Sequence, residues 1–338
     1  MSQNPDSFSS SLKRKPLIFT ALPLRDNRTG DSSHDEKILS NLESRKKDLA
    51  GELRNFTRLN AVSVPELVEE NHEGKPRYNS IYTRSLSRGT ADLLGKDAII
   101  NKVVVHMGTY EKFVEWMTET YSLGLKNMIF VGGNTRHHRF PGPSVSEANL
   151  IVRHLNSLNK LEDLTIGNIC LPERREEAKR MLFKTISGAQ FFTTQILFDS
   201  SQMVNLLQEY DRLCRIAEVT PSTVLLSFAP LRSSADLNLL DFLGVELPDK
   251  PRNYILESGD STDSPKRSVI NALKVYLEVI AASEKESVSV PLGVNIEQLT
   301  RSNFKTSMLM LKEFNDAVDA SEGRISDIIL DLEQDRDN

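Results

Sequence analysis

Cysteine is scarce in this chain, with only Cys170 and Cys214 among 338 residues. Two thiols cannot build a disulfide framework, so a reducing, cytoplasmic compartment is expected. Neither a CxxC pair nor a His/Cys cluster at zinc spacing is present, and no metal site is expected. No apolar run reaches the roughly 18 residues of a membrane span, which argues against a membrane partner. The stretch Met1 to Lys15 is serine-rich and polar, lacks the apolar core of a secretory signal, and reads as a disordered tail. Positive charge is not in excess: 42 Lys and Arg face 47 Asp and Glu, for a net charge of −5. A nucleic-acid binder usually carries a basic face, so that class is disfavoured. The first apolar run is followed by Leu22-Pro23-Leu24-Arg25, with neither GxGxxG nor a Walker A loop, which counts against a doubly wound nucleotide-binding sheet. There is no internal repeat.

What the chain does have is alternation. Short apolar runs at Leu17–Ala21, Ala61–Val64, Lys102–His106, Asn127–Val131, Leu164–Asn168, Phe191–Gln195, Thr223–Phe228 and Val288–Leu292 read as strands. Amphipathic stretches at Asp35–Leu59, Tyr110–Leu123, Pro172–Ile186, Ser200–Ile216, Ala235–Leu243, Ser268–Ala282 and Ser302–Val318 read as helices. Eight strands alternating with helices predict an α/β fold, a (β/α)8 TIM barrel built as a single domain over residues 16–322. Residues 1–15 and 323–338 are expected to be polar tails. Two long polar insertions remain. Glu66–Gly95 follows the second strand on the functional face and is read as a lid, and Leu247–Lys266 as a mobile surface loop.

Barrel chemistry sits where strands end. Those ends carry Thr20 and Arg25, Glu66, His106, Gly132-Gly133-Asn134, Asn168 and Cys170, Gln195, Ser227 to Arg232, and Asn295 with Glu297. The set is rich in amides and poor in acids, which suits a reaction driven by positioning and a cofactor rather than by a protein nucleophile. Each has a plainer reading. Gly132-Gly133 is either a tight turn or a close approach to a ligand. His106 is either a satisfied core histidine or a ligand contact. Gln195 needs amide partners, from the protein or from a ligand. His137-His138, between Arg136 and Arg139, reads first as a solvated loop.

The stretch Lys184-Thr-Ile-Ser-Gly-Ala-Gln-Phe-Phe-Thr-Thr-Gln195-Ile-Leu-Phe198 matches the pattern K-x-x-x-G-A-x-x-x-x-T-Q-x-x-[FY] and resembles the methylenetetrahydrofolate reductase family. Thr109 to Asn134 is similar to that family's third helix and fourth strand, which typically end R-G-D. Ile18 to Arg25 resembles its first strand and Ser227 to Leu231 its seventh. Val224-Leu-Leu-Ser-Phe228 looks closest to the mycobacterial-type reductases that work without bound flavin.

The resemblance implies reduction of 5,10-methylenetetrahydrofolate to 5-methyltetrahydrofolate with NAD(P)H, in one-carbon metabolism and methionine biosynthesis. It implies a reduced folate partner, with FAD as relay in flavin-containing members. By the same resemblance Gln195 contacts the substrate's pterin, Lys184 the flavin, and Asn134 and Gly132 hold the positions of the R-G-D Asp and Arg. From their places at strand ends, Asn295 joins Gln195 and Asn134 on the substrate side, and Gly133, His106 and Asn168 join Lys184 and Gly132 on the cofactor side. Two positions depart from the pattern. The family's acidic Glu aligns with Thr20, whose hydroxyl is far too weak an acid for the task near neutral pH. The R-G-D Asp aligns with Asn134, which keeps hydrogen bonding but loses charge. These departures predict weak or absent FAD and a displaced proton donor, with Glu66 and Glu297 as the candidates. They also leave open a tetrahydrofolate-dependent methyltransferase or demethylase, or a non-catalytic folate-binding subunit, on the same barrel. Nothing in the sequence opposes a homo-oligomer.

Overall fold

Eight parallel strands close on themselves in the computed structural model, which describes residues 7–70, 76–133, 139–233, 236–256 and 263–334. The strands are β1 (Leu17–Thr20), β2 (Leu59–Val64), β3 (Asp97–Val103), β4 (Asn127–Val131), β5 (Thr165–Cys170), β6 (Phe191–Ile196), β7 (Thr223–Phe228) and β8 (Leu292–Glu297). Each pairs with the next in the chain, and β8 pairs with β1 to complete the (β/α)8 TIM barrel. The expected fold class is therefore observed. Strand residues alternate between two environments, as the period of a strand requires. Ile18, Ala61, Ile99, Ile129, Phe191 and Leu225 share the lumen cluster, while neighbours such as Phe19, Val62 and Phe192 pack outward under the helices.

The helices are α1 (Phe8–Ser11), α2 (Ser32–Leu53), α3 (Thr83–Leu94), α4 (Tyr110–Ser122), α5 (Val145–Ser157), α6 (Glu177–Ser187) and α7 (Ser201–Ile216), followed by α8 (Leu237–Leu243), α9 (Asp249–Leu256), α10 (Ser264–Lys285), α11 (Phe304–Ala317) and α12 (Glu322–Gln334). None of these is long and apolar enough to cross a membrane among the described residues.

Both expected tails are structured where described. Phe8 is fully buried, and its ring meets Phe191 edge-on at 5.1 Å in the floor of the barrel. Its N–H donates to Asp97 Oδ2 at 2.6 Å, and the Leu12 carbonyl accepts from Thr223 Oγ1 at 2.8 Å. Polar composition hid a plug because only Phe8 and Leu12 need to enter. Gly167 makes room beneath them: a Cβ there would lie 2.3 Å from the Phe191 ring. At the other end, α12 buries Ile325, Ile328 and Ile329.

The expected lid over Glu66–Gly95 is an ordinary strand-to-helix connection. Val68–Glu70 pairs antiparallel with Pro76–Tyr78, Ser80–Ile81 pairs with Leu24–Arg25, and α3 follows. The helix escaped notice because its buried face is Leu86, Ser87, Thr90 and Ala91, half of it polar. The expected loop at Leu247–Lys266 contains α9 and the start of α10. The third strand lies earlier than expected, since His106 belongs to a 3-10 turn, Val104–His106. The eighth lies later, because Val288 instead closes the end of α10, its N–H donating to the Ser283 carbonyl.

Candidate functional site

The inward side chains at the carboxyl end of the barrel are short, polar and bonded to one another. Thr20 of β1 stands in register with Glu297 of β8. The Thr20 hydroxyl donates to Asn295 Oδ1 at 2.8 Å. Asn295 Nδ2 donates in turn to Ser227 Oγ at 3.0 Å and to Glu297 Oε1 at 2.9 Å. Across the mouth, the Ser63 hydroxyl donates to Asn101 Oδ1 at 3.0 Å, linking β2 and β3. Thr20, Ser63, Ser227 and Asn295 are all buried. Gln195, at the end of β6, donates from Nε2 to the Leu243 carbonyl at 2.8 Å, which leaves its Oε1 as an acceptor at the rim.

Glu297 is the acid of this site. Burial disfavours its charged form and pushes its pKa from 4.5 to about 7, while a hydrogen bond from Ser227 pulls the other way. A carboxyl group that titrates near neutrality can donate and recover a proton under physiological conditions. Glu297 was one of two candidates in the sequence, and closure of β8 on β1 places it beside Thr20.

The other candidate, Glu66, is elsewhere. Its Oε1 accepts from Lys102 Nζ at 2.8 Å and its Oε2 from the Val103 N–H at 3.3 Å. The Lys102 ammonium lies 5.2 Å from the Tyr78 ring centre and 5.4 Å from that of Trp116. The pair borders a cavity of about 360 Å³ between the barrel wall and the starts of α3 and α4. Asn101, one residue back, faces the lumen, so Lys102 and the Glu66 that follows it face outward. Glu66 therefore does not flank Thr20.

The residues expected near a cofactor are also dispersed. Lys184 Nζ donates to the Ile169 carbonyl at 2.7 Å and lies 3.6 Å from Glu177 Oε1, between β5 and α6. Desolvation lowers its pKa, and Glu177 opposes that shift. Asn168 is fully buried against α5, where it accepts from Asn149 Nδ2 at 2.8 Å and donates to the Phe130 carbonyl at 3.3 Å. His106 Nδ1 lies 3.2 Å from the Tyr78 hydroxyl, and its ring meets Phe140 at 4.5 Å. Gly132 and Gly133 follow β4 at the mouth, and a Cβ on Gly132 would meet only Val145 Cγ2, at 3.6 Å. Asn134, His137 and His138 lie outside the described residues. Lys184 and Asn168 are thus occupied in holding helices to the wall. Cys170 is buried, and desolvation raises its thiol pKa, so it is no nucleophile. Among the described residues no group of three His, Cys, Asp or Glu side chains could hold a metal ion.

Ser63 and Asn101 were missed in the sequence. Stepping by twos from the lumen residues Ala61 and Ile99 reaches them, the second only once β3 is placed correctly.

No family model matches the chain, and no curated protein matches it in sequence. Among solved structures, the fold is similar to that of an uncharacterised protein from Clostridium thermocellum that binds two copies of 5-methyl-5,6,7,8-tetrahydrofolic acid. The two share 19% identity over 91% of this chain and 98% of that one, with a TM-score of 0.70. The spore cortex-lytic enzyme SleL of Bacillus cereus is more distant, at 9% identity over 88% and 73% of the two chains and a TM-score of 0.44. At these identities the likeness concerns the barrel alone.

Proposed function

We propose that this chain binds a reduced folate at the carboxyl ends of its barrel strands and reduces 5,10-methylenetetrahydrofolate to 5-methyltetrahydrofolate with NAD(P)H. The observation that carries the reading is Glu297: a carboxyl group poised near neutrality, in register with the position where the resembling family keeps its acid. The reaction needs a proton on one nitrogen of the substrate's five-membered ring. That proton lets the bond from nitrogen to the bridging carbon break, leaving an iminium that takes a hydride. Glu297 supplies the proton; a bound reduced nicotinamide would supply the hydride, and with Lys184 and Asn168 held in the wall no flavin relay is invoked. Gln195 Oε1, left as an acceptor at the rim, offers a polar contact for a pterin edge. The structural neighbour's ligand, 5-methyl-5,6,7,8-tetrahydrofolic acid, is the product of this reaction and supports the choice of substrate.

The test is folate-dependent oxidation of NADH and of NADPH by purified protein, beside calorimetric titration with 5-methyltetrahydrofolate. Glu297→Gln should lower turnover by about 10²–10⁴-fold, the usual contribution of general acid catalysis, with folate affinity retained. Failure to bind folate would end this reading. Folate binding without oxidation of either nucleotide would leave the binding-only role, which the replacement of the family acid by Thr20 favours.

A further inference from the structure

The polar chain across β1, β8 and β7 has a direction, and each hydrogen in it can be assigned. A threonine hydroxyl has one hydrogen, and that of Thr20 goes to Asn295 Oδ1. The two amide hydrogens of Asn295 go to Ser227 Oγ and Glu297 Oε1. Ser227 accepts from Asn295, so its own hydrogen is free for Glu297, to which it is hydrogen-bonded. The Asn295 amide therefore presents only a donor to Glu297. A carboxylate accepts it without conflict. A carboxylic acid carries one more hydrogen, which this amide cannot receive in its present orientation. That hydrogen is left to the second lone pair of the Ser227 hydroxyl or to the mouth of the barrel, where a ligand would lie.

We propose that Asn295 is a positioning residue that aims the proton of Glu297 at the bound ligand, with Thr20 locking the amide in the orientation this requires. The identity of the ligand rests on the folate reading; the aiming does not. Without the Thr20 hydroxyl the amide is free to turn over. Its oxygen would then face Glu297, accept the carboxylic proton and withdraw it from the ligand. Thr20 so takes part in the chemistry through its neighbour, at the position where a Glu would act directly. The flanking residues on β1 and β7, Thr20 and Ser227, are uncharged, and no charged group of the described residues contributes to the shift of Glu297. Arg45 of α2 reaches only the next residue, Gln298, donating to its Oε1 at 2.7 Å.

The experiment is a carboxyl carbon NMR titration of glutamate-labelled, ligand-free protein, with the Glu297 resonance assigned by its loss in Glu297→Gln. Asn295→Leu removes a donor to the carboxylate and should raise the midpoint by about one pH unit, a tenfold change in the ionisation equilibrium. Thr20→Val should raise it severalfold on the same scale, and Thr20→Ser should restore the original value. In the enzymatic assay Thr20→Val should lower kcat at least tenfold with KM for folate within twofold, a split that a merely structural role would not give. An unmoved midpoint in both folded variants overturns the proposal, even if folate binds and is reduced. A shifted midpoint with rescue by serine upholds it, even in a protein that binds no folate, in which case only the functional reading falls.

Discussion

Glu297→Gln tests the physical basis of the site without any ligand. Glutamine keeps the shape of the side chain and can still accept from Asn295, so the change removes little but the titration. Glu297 has its pKa raised from 4.5 to about 7 in the folded protein. The folded state therefore holds a proton that the unfolded state has released throughout that interval. Stability from this group is fully present below the unfolded value of 4.5 and is lost as pH rises through about 7. Each pKa unit corresponds to about 1.4 kcal/mol, so ionising Glu297 costs the fold at most about 3.5 kcal/mol at alkaline pH. Urea unfolding followed across this range should show the unchanged protein losing stability relative to Glu297→Gln between these limits, with a constant gap above them. Partial exposure of the carboxyl group makes about 1–2 kcal/mol the more realistic gap. Parallel stability curves for the two proteins would show that Glu297 ionises as an ordinary carboxylate, and the assignment of the proton donor would fail with them.

Other perturbations separate the site from its surroundings. Phe8→Ala should cost about 3–5 kcal/mol in urea unfolding, because it empties the barrel floor; a change near zero would return the N-terminal segment to the role of a tail. Lys102→Met should cost about 3–5 kcal/mol by leaving the Glu66 carboxylate without its ion pair, and Lys102→Met with Glu66→Gln should recover most of that loss. Glu66→Gln alone should keep folate-dependent turnover within about threefold of the unchanged protein, as its partner lies outside the lumen; a fall of about a hundredfold would put the acid there instead. Gln195→Ala should weaken folate binding by roughly ten- to a hundredfold, the consequence of about 1–3 kcal/mol from an unpaired polar group, and unchanged affinity in calorimetry would remove Gln195 from the site. Protein purified without added flavin should show no flavin absorbance, and a yellow cofactor surviving gel filtration would contradict the assignment of Lys184 to the wall.

The alternation of apolar and amphipathic stretches was enough to read the barrel, although strands such as β3 (Asp97–Val103) and β8 (Leu292–Glu297) mix polar residues into the run and were misplaced. The runs at Asn127–Val131 and Thr223–Phe228 match their strands end to end. Elements held by small or polar contacts were not legible. The buried face of α3 includes Ser87 and Thr90, whose burial is set by packing against β2 and β3, as when the Ser87 hydroxyl donates to the Val62 and Ile99 carbonyls. The start of α5 did carry a signal, the capping box of Ser144 and Glu147, that periodicity alone passed over. Mislocating β3 by several residues made His106 a strand end and concealed Asn101. For the site, the strand-end rule collected Gln195 and Asn295, which face the lumen, but also Asn168, which faces the helices. A strand end names a height in the barrel; which side of the wall a residue faces depends on parity, and a one-residue error reverses it.

Closure of the barrel also lets a carboxyl group on β8 serve the space in front of β1. In an open sheet the first and last strands are far apart, and a carboxylate lost from one cannot be replaced from the other. Closure removes that distinction. Asn295 stands 275 residues from Thr20 and yet bonds to it, and Glu297 is its register partner. A proton donor on β8 therefore reaches almost the same space as one on β1, approaching from the neighbouring strand. On the proposed reading, the residue at position 20 has two conditions to satisfy. It must be small enough to leave that space open, and it must present a hydrogen to the Asn295 oxygen. Valine meets the first and glutamate neither; serine and threonine meet both. The threonine methyl adds bulk against χ1 rotation, which fixes the hydroxyl direction more tightly than serine would. On this view Thr20 is a working part of a relocated acid site, and its hydroxyl, rather than any acidity of its own, is what the site requires of position 20.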